Sequence, residues 1–133
     1  MHIGSDTINC FNGLYKFLLD SKQEDIIPLD ELKTILETKI LECVEKDVSS
    51  WYVSFVTTPS YLIKDENDLG VNKSLNYIRK EIELIPKFQK SDGSFGVLWK
   101  WYNAYPEYEA SKLLWESDII IEKLLFYKIF KNI

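Results

Sequence analysis

Three residues near the start of the chain, His2, Asp6 and Cys10, have types and a spacing that could bind a metal. They stand four positions apart, so one helix would place all three on the same face, and each is a zinc-ligand type. The structural alternative is a frayed terminus with a buried cysteine, which is the commoner situation. His2 is the only histidine in the chain. We therefore expect no bound metal.

The familiar catalytic sets are missing from the sequence. With its single histidine at position 2, the chain offers no Ser-His-Asp set. It has no glycine-rich phosphate loop, and no Asp-Asp-x-x-Asp motif of the kind that holds magnesium. We predict no catalytic residue and no cofactor on this chain.

Aromatic residues are the remaining group with chemical potential. They could line a pocket for an apolar small molecule, or they could pack between helices, which is the more frequent use of aromatic side chains. Both interpretations stay open at this point. The candidate ligand-binding residues are Trp51, Tyr52, Tyr61, Trp99, Trp101 and Tyr102.

Length and composition set the broad class. The 133 residues suit one domain, 1–133, and a hydrophobic content of 46% is ample for a core. A net charge of −5 argues against nucleic-acid binding, which normally needs a basic face. Two cysteines do not make a disulfide framework. No apolar run is long enough to span a bilayer, and no signal peptide is visible, so we expect a cytoplasmic protein.

Helical spacing of apolar residues predicts the elements that must position these side chains. Ser5 or Asp6 is expected to cap the first helix, and Asn67 or Asp68 the third long one. The first three of the longer helices are predicted from Ser5 or Asp6 to about Leu19, from Pro28 to near Lys46–Asp47, and from Leu69 to Ile85 before Pro86. The last is predicted from Pro106 to about Phe130, either as one helix or as a kinked pair.

The segment Val48–Ile63 is ambiguous. Trp51, Val53 and Phe55 alternate as in a strand, but a helix is also compatible, and Pro59 is expected to end either element. We favour a short helix because the chain offers no partner strand. This makes about five helices, arranged as antiparallel hairpins.

The stretch Gln89–Gly96 has the features of a tight turn with a docking side chain. Gly93 and Gly96 permit positive φ, and Asp92 can cap the backbone N–H groups that follow it. Phe95 can be buried only by packing onto neighbouring helices. Gln89 can hydrogen-bond the loop or the next helix.

The pattern Gln89-x-x-Asp92-Gly93-x-Phe95-Gly96 resembles the Gln-x-x-Asp-Gly-Gly-Phe/Trp-Gly turn of the prenyltransferase and squalene-cyclase superfamily. The segment from Trp99 to Trp115 is similar to the last repeat of a bacterial branch of prenyltransferase-like proteins. The resemblance covers about Trp51–Phe130. The chain has one such turn, and Phe95 stands where cyclases have Trp.

That resemblance implies an all-α fold, a partial α/α toroid of antiparallel helical hairpins. Cyclases of the superfamily carry an Asp-x-Asp-Asp acid, and the similar run Asp65–Asp68 has Asn67 at the position of the proton donor. We therefore interpret this run as a solvated loop. Aromatic walls stabilise carbocations in the same enzymes.

The sequence favours a non-catalytic binding or interaction domain. The alternative is a part of an isoprenoid-processing enzyme whose catalytic residues lie outside this chain. Five helices do not close a toroid, and Ile119–Leu125 is apolar on nearly all sides. We therefore expect either a homo-oligomer or missing N-terminal repeats. An enzyme would be indicated by an apolar cavity with a buried carboxylate or a metal, and an interaction module by a flat apolar edge.

Overall fold

A computed structural model describes residues 3–100 and 105–133 of the chain. These residues form five α-helices and no strand, which confirms an all-α fold with about five helices. The toroid arrangement stays a prediction. In chain order the helices are α1 (Ser5–Asp20), α2 (Leu29–Cys43), α3 (Pro59–Leu62), α4 (Leu75–Phe88) and α5 (Pro106–Phe130), with a 3-10 turn at Val48–Ser50.

The last helix has the bounds that the sequence predicts, with Pro106 in its first turn. The cap predicted for α1 is wrong: Gly4 is the N-cap, without a side-chain hydrogen bond. Helix α2 ends earlier than predicted, because the backbone N–H of Glu45 bonds to the carbonyl oxygen of Thr57 (2.9 Å) instead of continuing the helix.

The start of α4 is six residues later than predicted, and neither Asn67 nor Asp68 caps it. Gly70, at a φ of +84°, lies in a run of turns before the helix. A Cβ at Gly70 would lie 2.7 Å from Cγ2 of Ile40, so both the backbone conformation and the close approach require glycine. Pro86 does not stop α4, which extends to Phe88.

The ambiguous segment 48–63 contains the 3-10 turn and, after an irregular stretch, the one-turn helix α3. The prediction for Pro59 is wrong, because Pro59 begins α3 instead of ending an element. Proline suits the first turn of a helix, since its fixed φ is helical and its missing N–H would have no helical partner there.

Helix α3 lies at the centre of the fold and contacts α1, α4 and α5, while α1 packs on α2 and α4 on α5. The apolar core joins these helices through fully buried side chains, among them Ile8, Ile40, Trp51, Ile78 and Phe126. In the described part of the chain no helix has the length and apolar character needed to cross a membrane.

The apolar segment of α5 is divided between the core and the surface. Ile119 and Ile120 pack against the core, and Ile121 is exposed. Only the first two residues of this apolar run therefore pack against the core. Leu114, Ile121 and Leu125 share the outward face, because positions seven and eleven apart return to one side of a helix.

Candidate functional site

A cleft of about 200 Å³ opens between α5, residues 52–61 and residues 95–99. Its walls are mainly apolar, and six of the side chains are aromatic. The aromatic lining residues are Tyr52, Phe55, Tyr61, Phe95, Trp99 and Trp115, and the charged ones are Asp118, Glu122 and Lys123.

Tyr52 is held in the cleft wall by an unusual backbone conformation. Its φ is +63°, which is uncommon for a residue other than glycine and is kept only where the surroundings impose it. The ring stacks on Phe88 at a centroid distance of 5.3 Å and lies 6.1 Å from Phe95. Because Phe88 ends α4, the aromatic wall is anchored to a helix terminus.

The Gln89–Gly96 turn places Phe95 against Tyr52. The Gln89 side chain donates from Nε2 to the carbonyl oxygen of Gly93 (3.0 Å). Asp92 accepts hydrogen bonds at Oδ1 from the backbone N–H (2.9 Å) and hydroxyl (2.7 Å) of Ser94. These bonds hold the pKa of the Asp92 carboxyl below its usual range. The turn thus closes on itself, and Phe95 is buried.

A buried polar cluster lies behind the aromatic wall, centred on Glu81 of α4, whose side chain is 0% exposed. Oε2 accepts from the backbone N–H of Ser60 (2.8 Å). Oε1 accepts from the Ser60 hydroxyl (2.7 Å), the Tyr52 hydroxyl (2.9 Å) and the Lys123 ammonium (3.1 Å). Thr58, the N-cap of α3, makes no side-chain cap bond, so Glu81 satisfies an N–H of α3 from another helix.

Lys123 of α5 supplies the positive charge of this cluster. Its ammonium donates to Ser60 Oγ (2.5 Å), Thr58 Oγ1 (3.1 Å) and Glu81 Oε1 (3.1 Å). An ammonium has three N–H donors, so these three contacts occupy them all. The Lys123 side chain is 10% exposed, and its Nζ also lies 5.0 Å from the centre of the Tyr52 ring.

Two tyrosines at the cleft have displaced pKa values. Burial raises the pKa of the Tyr52 phenol, and the nearby Glu81 carboxylate raises it further. At Tyr61 the hydroxyl donates to Asp6 Oδ1 (2.6 Å), and this hydrogen bond is the main cause that raises the Tyr61 pKa to about 12. Both phenols therefore stay protonated at neutral pH and act as hydrogen-bond donors.

The mouth of the cleft is formed by a chain of aromatic rings. Phe55 lies 5.6 Å from Trp99, and Trp99 lies 5.5 Å from Trp115 of α5. Asp118 and Glu122 follow Trp115 on the cleft side of α5, at the three- and four-residue spacings that place helical side chains next to each other. Glu122 pairs with Lys64 (2.9 Å).

The predicted ligand-binding residues have different positions. Tyr52, Tyr61 and Trp99 line the cleft. Trp51 is fully buried in the core, where its indole N–H donates to the carbonyl oxygen of Glu45 (3.0 Å). Trp101 and Tyr102 lie outside the described residues.

Sequence reasoning missed the Glu81–Lys123 pair. Each residue interrupts an apolar helical stripe: Glu81 stands three positions after Ile78 and four before Ile85, and Lys123 stands three before Phe126. A charged residue within such a stripe is a signal for a buried pair, since an unpaired charge there would be costly.

The acidic run 65–68 forms a loop that is held by hydrogen bonds to one of its own carboxylates. Asp68 Oδ2 accepts from the backbone N–H groups of Lys64 (2.7 Å) and Asp65 (3.0 Å), and its Oδ1 pairs with Lys16 (2.6 Å). Within residues 3–100 and 105–133 no group of three side chains is arranged to hold a metal ion, and His2 lies outside these ranges.

Comparison of the chain with models of known protein families, with curated proteins and with solved structures found no match. The resemblance to the prenyltransferase and squalene-cyclase superfamily therefore stays a prediction.

Proposed function

We propose that this chain is a non-catalytic binding domain for an apolar small molecule, with the aromatic cleft as its site. The observation that carries the proposal is the cleft of about 200 Å³ lined by six aromatic side chains. Concave apolar surfaces with a few polar groups are typical of small-molecule sites. The turn at Gln89–Gly96 and the buried Glu81 cluster support two of the walls.

The alternative is a part of an isoprenoid-processing enzyme, and the buried carboxylate of Glu81 next to an apolar cleft is the feature that favours it. The contacts of this carboxylate point instead to a structural role. Both Glu81 oxygens accept hydrogen bonds from protein groups, and Tyr52 and Lys123, which line the cleft, are two of the donors. Glu81 therefore braces the wall, which supports binding over acid catalysis.

The exposed apolar stripe of α5 supports a second copy of the chain as a partner. Its residues are Leu113, Leu114, Ile121, Leu124 and Leu125, all exposed. We propose that two copies pair along this stripe around a two-fold axis, which is the commonest symmetry of soluble oligomers. Sedimentation should show a dimer that Ile121→Lys dissociates. A monomer at all concentrations would contradict this part of the proposal.

A neutral fluorescent probe, N-phenylnaphthylamine, tests the binding site. Phe55 lines the cleft and is 71% exposed, so Phe55→Ala should weaken probe binding by about threefold or more, through loss of apolar contact, without unfolding the chain. Phe17 of α1 is 64% exposed and lies away from the cleft, so Phe17→Ala is the matched control. Equal effects of the two substitutions, or no probe binding, would refute the proposal.

A further inference from the structure

We propose that the cleft selects organic cations, of the alkylated-ammonium class, over neutral or anionic molecules of the same shape. This inference rests on the proposed function, since it names the ligand class of the same site. It follows from the aromatic walls, the charges around them and the size of the cleft.

The aromatic walls provide the first argument. The face of an aromatic ring attracts a cation, and tryptophan does so most strongly. Two rings of the cleft already face ammonium groups of the protein: Lys123 Nζ lies 5.0 Å from the centre of the Tyr52 ring, and Lys64 Nζ lies 5.6 Å from that of Tyr61. At the mouth, the rings of Phe55 and Trp99 lie 5.6 Å apart and add further aromatic surface.

The charge balance provides the second argument. Three carboxylates, Glu81, Asp118 and Glu122, face two ammonium groups, Lys64 and Lys123, which leaves one negative charge. Lys123 pairs with Glu81 at 3.1 Å and also lies 3.6 Å from Glu122, which pairs with Lys64 at 2.9 Å. Among the described residues no hydrogen bond or ion pair is found for the Asp118 carboxylate. The uncompensated charge therefore lies at the rim of an aromatic cleft.

An anionic ligand would find no complementary group there. Lys123 is the only basic side chain among the described residues that line the cleft, and all three of its N–H donors already have acceptors. Glu122, one helical turn after Asp118, already has the ammonium groups of Lys64 and Lys123 within 3.6 Å, so Asp118 is the carboxylate left to attract a cation.

The dimensions of the cleft limit the ligand to about one ring and its substituents. An apolar cavity of roughly 150 Å³ can hold benzene, and this cleft measures about 200 Å³. Phenyltrimethylammonium and tert-butylbenzene are therefore suitable probes. They have nearly the same shape and differ in one charge, because a quaternary nitrogen replaces a quaternary carbon.

The experiment measures the affinity of the full chain for both probes by quenching of tryptophan fluorescence, with calorimetry as a second readout. We expect phenyltrimethylammonium to bind about fivefold or more tightly than tert-butylbenzene, which is the order that cation–π and rim-charge attraction supply. Added salt should weaken the binding of phenyltrimethylammonium only, because salt screens the attraction of an exposed carboxylate for a cation.

Substitutions at the rim separate charge from shape. Asp118→Asn removes the uncompensated carboxylate from an exposed position. It should weaken binding of the cation about threefold or more, and it should change the affinity for tert-butylbenzene much less. Glu109→Gln makes the same change in net charge on α5. Glu109 is also exposed and stands nine residues earlier, on the opposite side of the helix, so this control should alter neither affinity.

The outcomes distinguish the inference from the proposed function. Tighter binding of the cation that depends on Asp118 and not on Glu109 supports both. Equal affinities for the two probes, or an equal effect of both substitutions, overturn the cation preference and leave the apolar site standing. Binding of neither probe overturns both.

Discussion

Removing the cation of the buried pair with Lys123→Met should destabilise the fold more than any surface charge substitution. Methionine nearly preserves the length of the side chain, so the main loss is electrostatic. The substitution removes the ammonium that donates to Glu81 Oε1, Ser60 Oγ and Thr58 Oγ1. The Glu81 carboxylate, which is 0% exposed, then has no counter-charge. An unpaired buried charge is much costlier than a lost surface pair.

The magnitude follows from what remains at the Glu81 carboxylate. Breaking a buried pair by removing one partner costs ~3–5 kcal/mol. Three hydrogen bonds to Glu81 persist, from the Ser60 N–H, the Ser60 hydroxyl and the Tyr52 hydroxyl, so we expect a loss near the lower end, about 3 kcal/mol. The double variant Glu81→Gln with Lys123→Met should lose less than Lys123→Met alone, because no charge is left unpaired.

Urea unfolding measures this loss as a shift of the midpoint at unchanged slope. Lys80→Met is the matched control, because Lys80 pairs with Glu83 at 3.3 Å with both side chains 57% exposed. Its cost should stay within about 0.5 kcal/mol, as for other exposed pairs. A loss below about 1 kcal/mol for Lys123→Met, or a loss equal to that of Lys80→Met, would refute the structural role of the buried pair.

Three further outcomes are expected. In denaturant melts, Phe95→Ala should lower the free energy of unfolding by ~3–5 kcal/mol, and Gln89→Ala should lower it by about 1 kcal/mol. A loss under about 1 kcal/mol for Phe95→Ala would exclude the docking role of this side chain. Gly70→Ala should lower the thermal midpoint by several degrees, because alanine is strained at this positive φ and its Cβ would clash with Ile40. An unchanged midpoint would contradict this expectation. The raised pKa of Tyr61, about 12, means that the folded state holds its proton more tightly than the unfolded chain, so stability should fall between about pH 10 and 12. Asp6→Asn should reduce that slope in urea melts across this range, and an identical slope would argue against the hydrogen bond.

Much of the fold could be predicted because local chemistry determined it. Pro106 and the apolar spacing that follows gave the bounds of α5, and the two glycines and Asp92 gave the turn that holds Phe95. The start of α4 could not be predicted in this way. Gly70 lies inside the predicted helix at a φ of +84° and closely approaches Ile40, which is a tertiary contact.

The site was only partly predictable for the same reason. Aromatic residue type identified Tyr52, Tyr61 and Trp99 as candidates, but the same criterion included Trp51, which the fold buries. The pairing of Glu81 with Lys123 joins residues 42 positions apart, and no local pattern encodes such a partner. Each residue interrupts an apolar stripe, so the sequence shows that a buried charge needs a partner without showing which one.

The central claim, that the cleft binds an apolar small molecule, is tested most directly by a nuclear magnetic resonance titration of the full chain with tert-butylbenzene. We expect saturable chemical-shift changes at the amides of Phe55, Leu98 and Ile119, which line the cleft. Changes confined to Ile121 and Leu125 on the outward face of α5, or no saturable change at all, would contradict the claim.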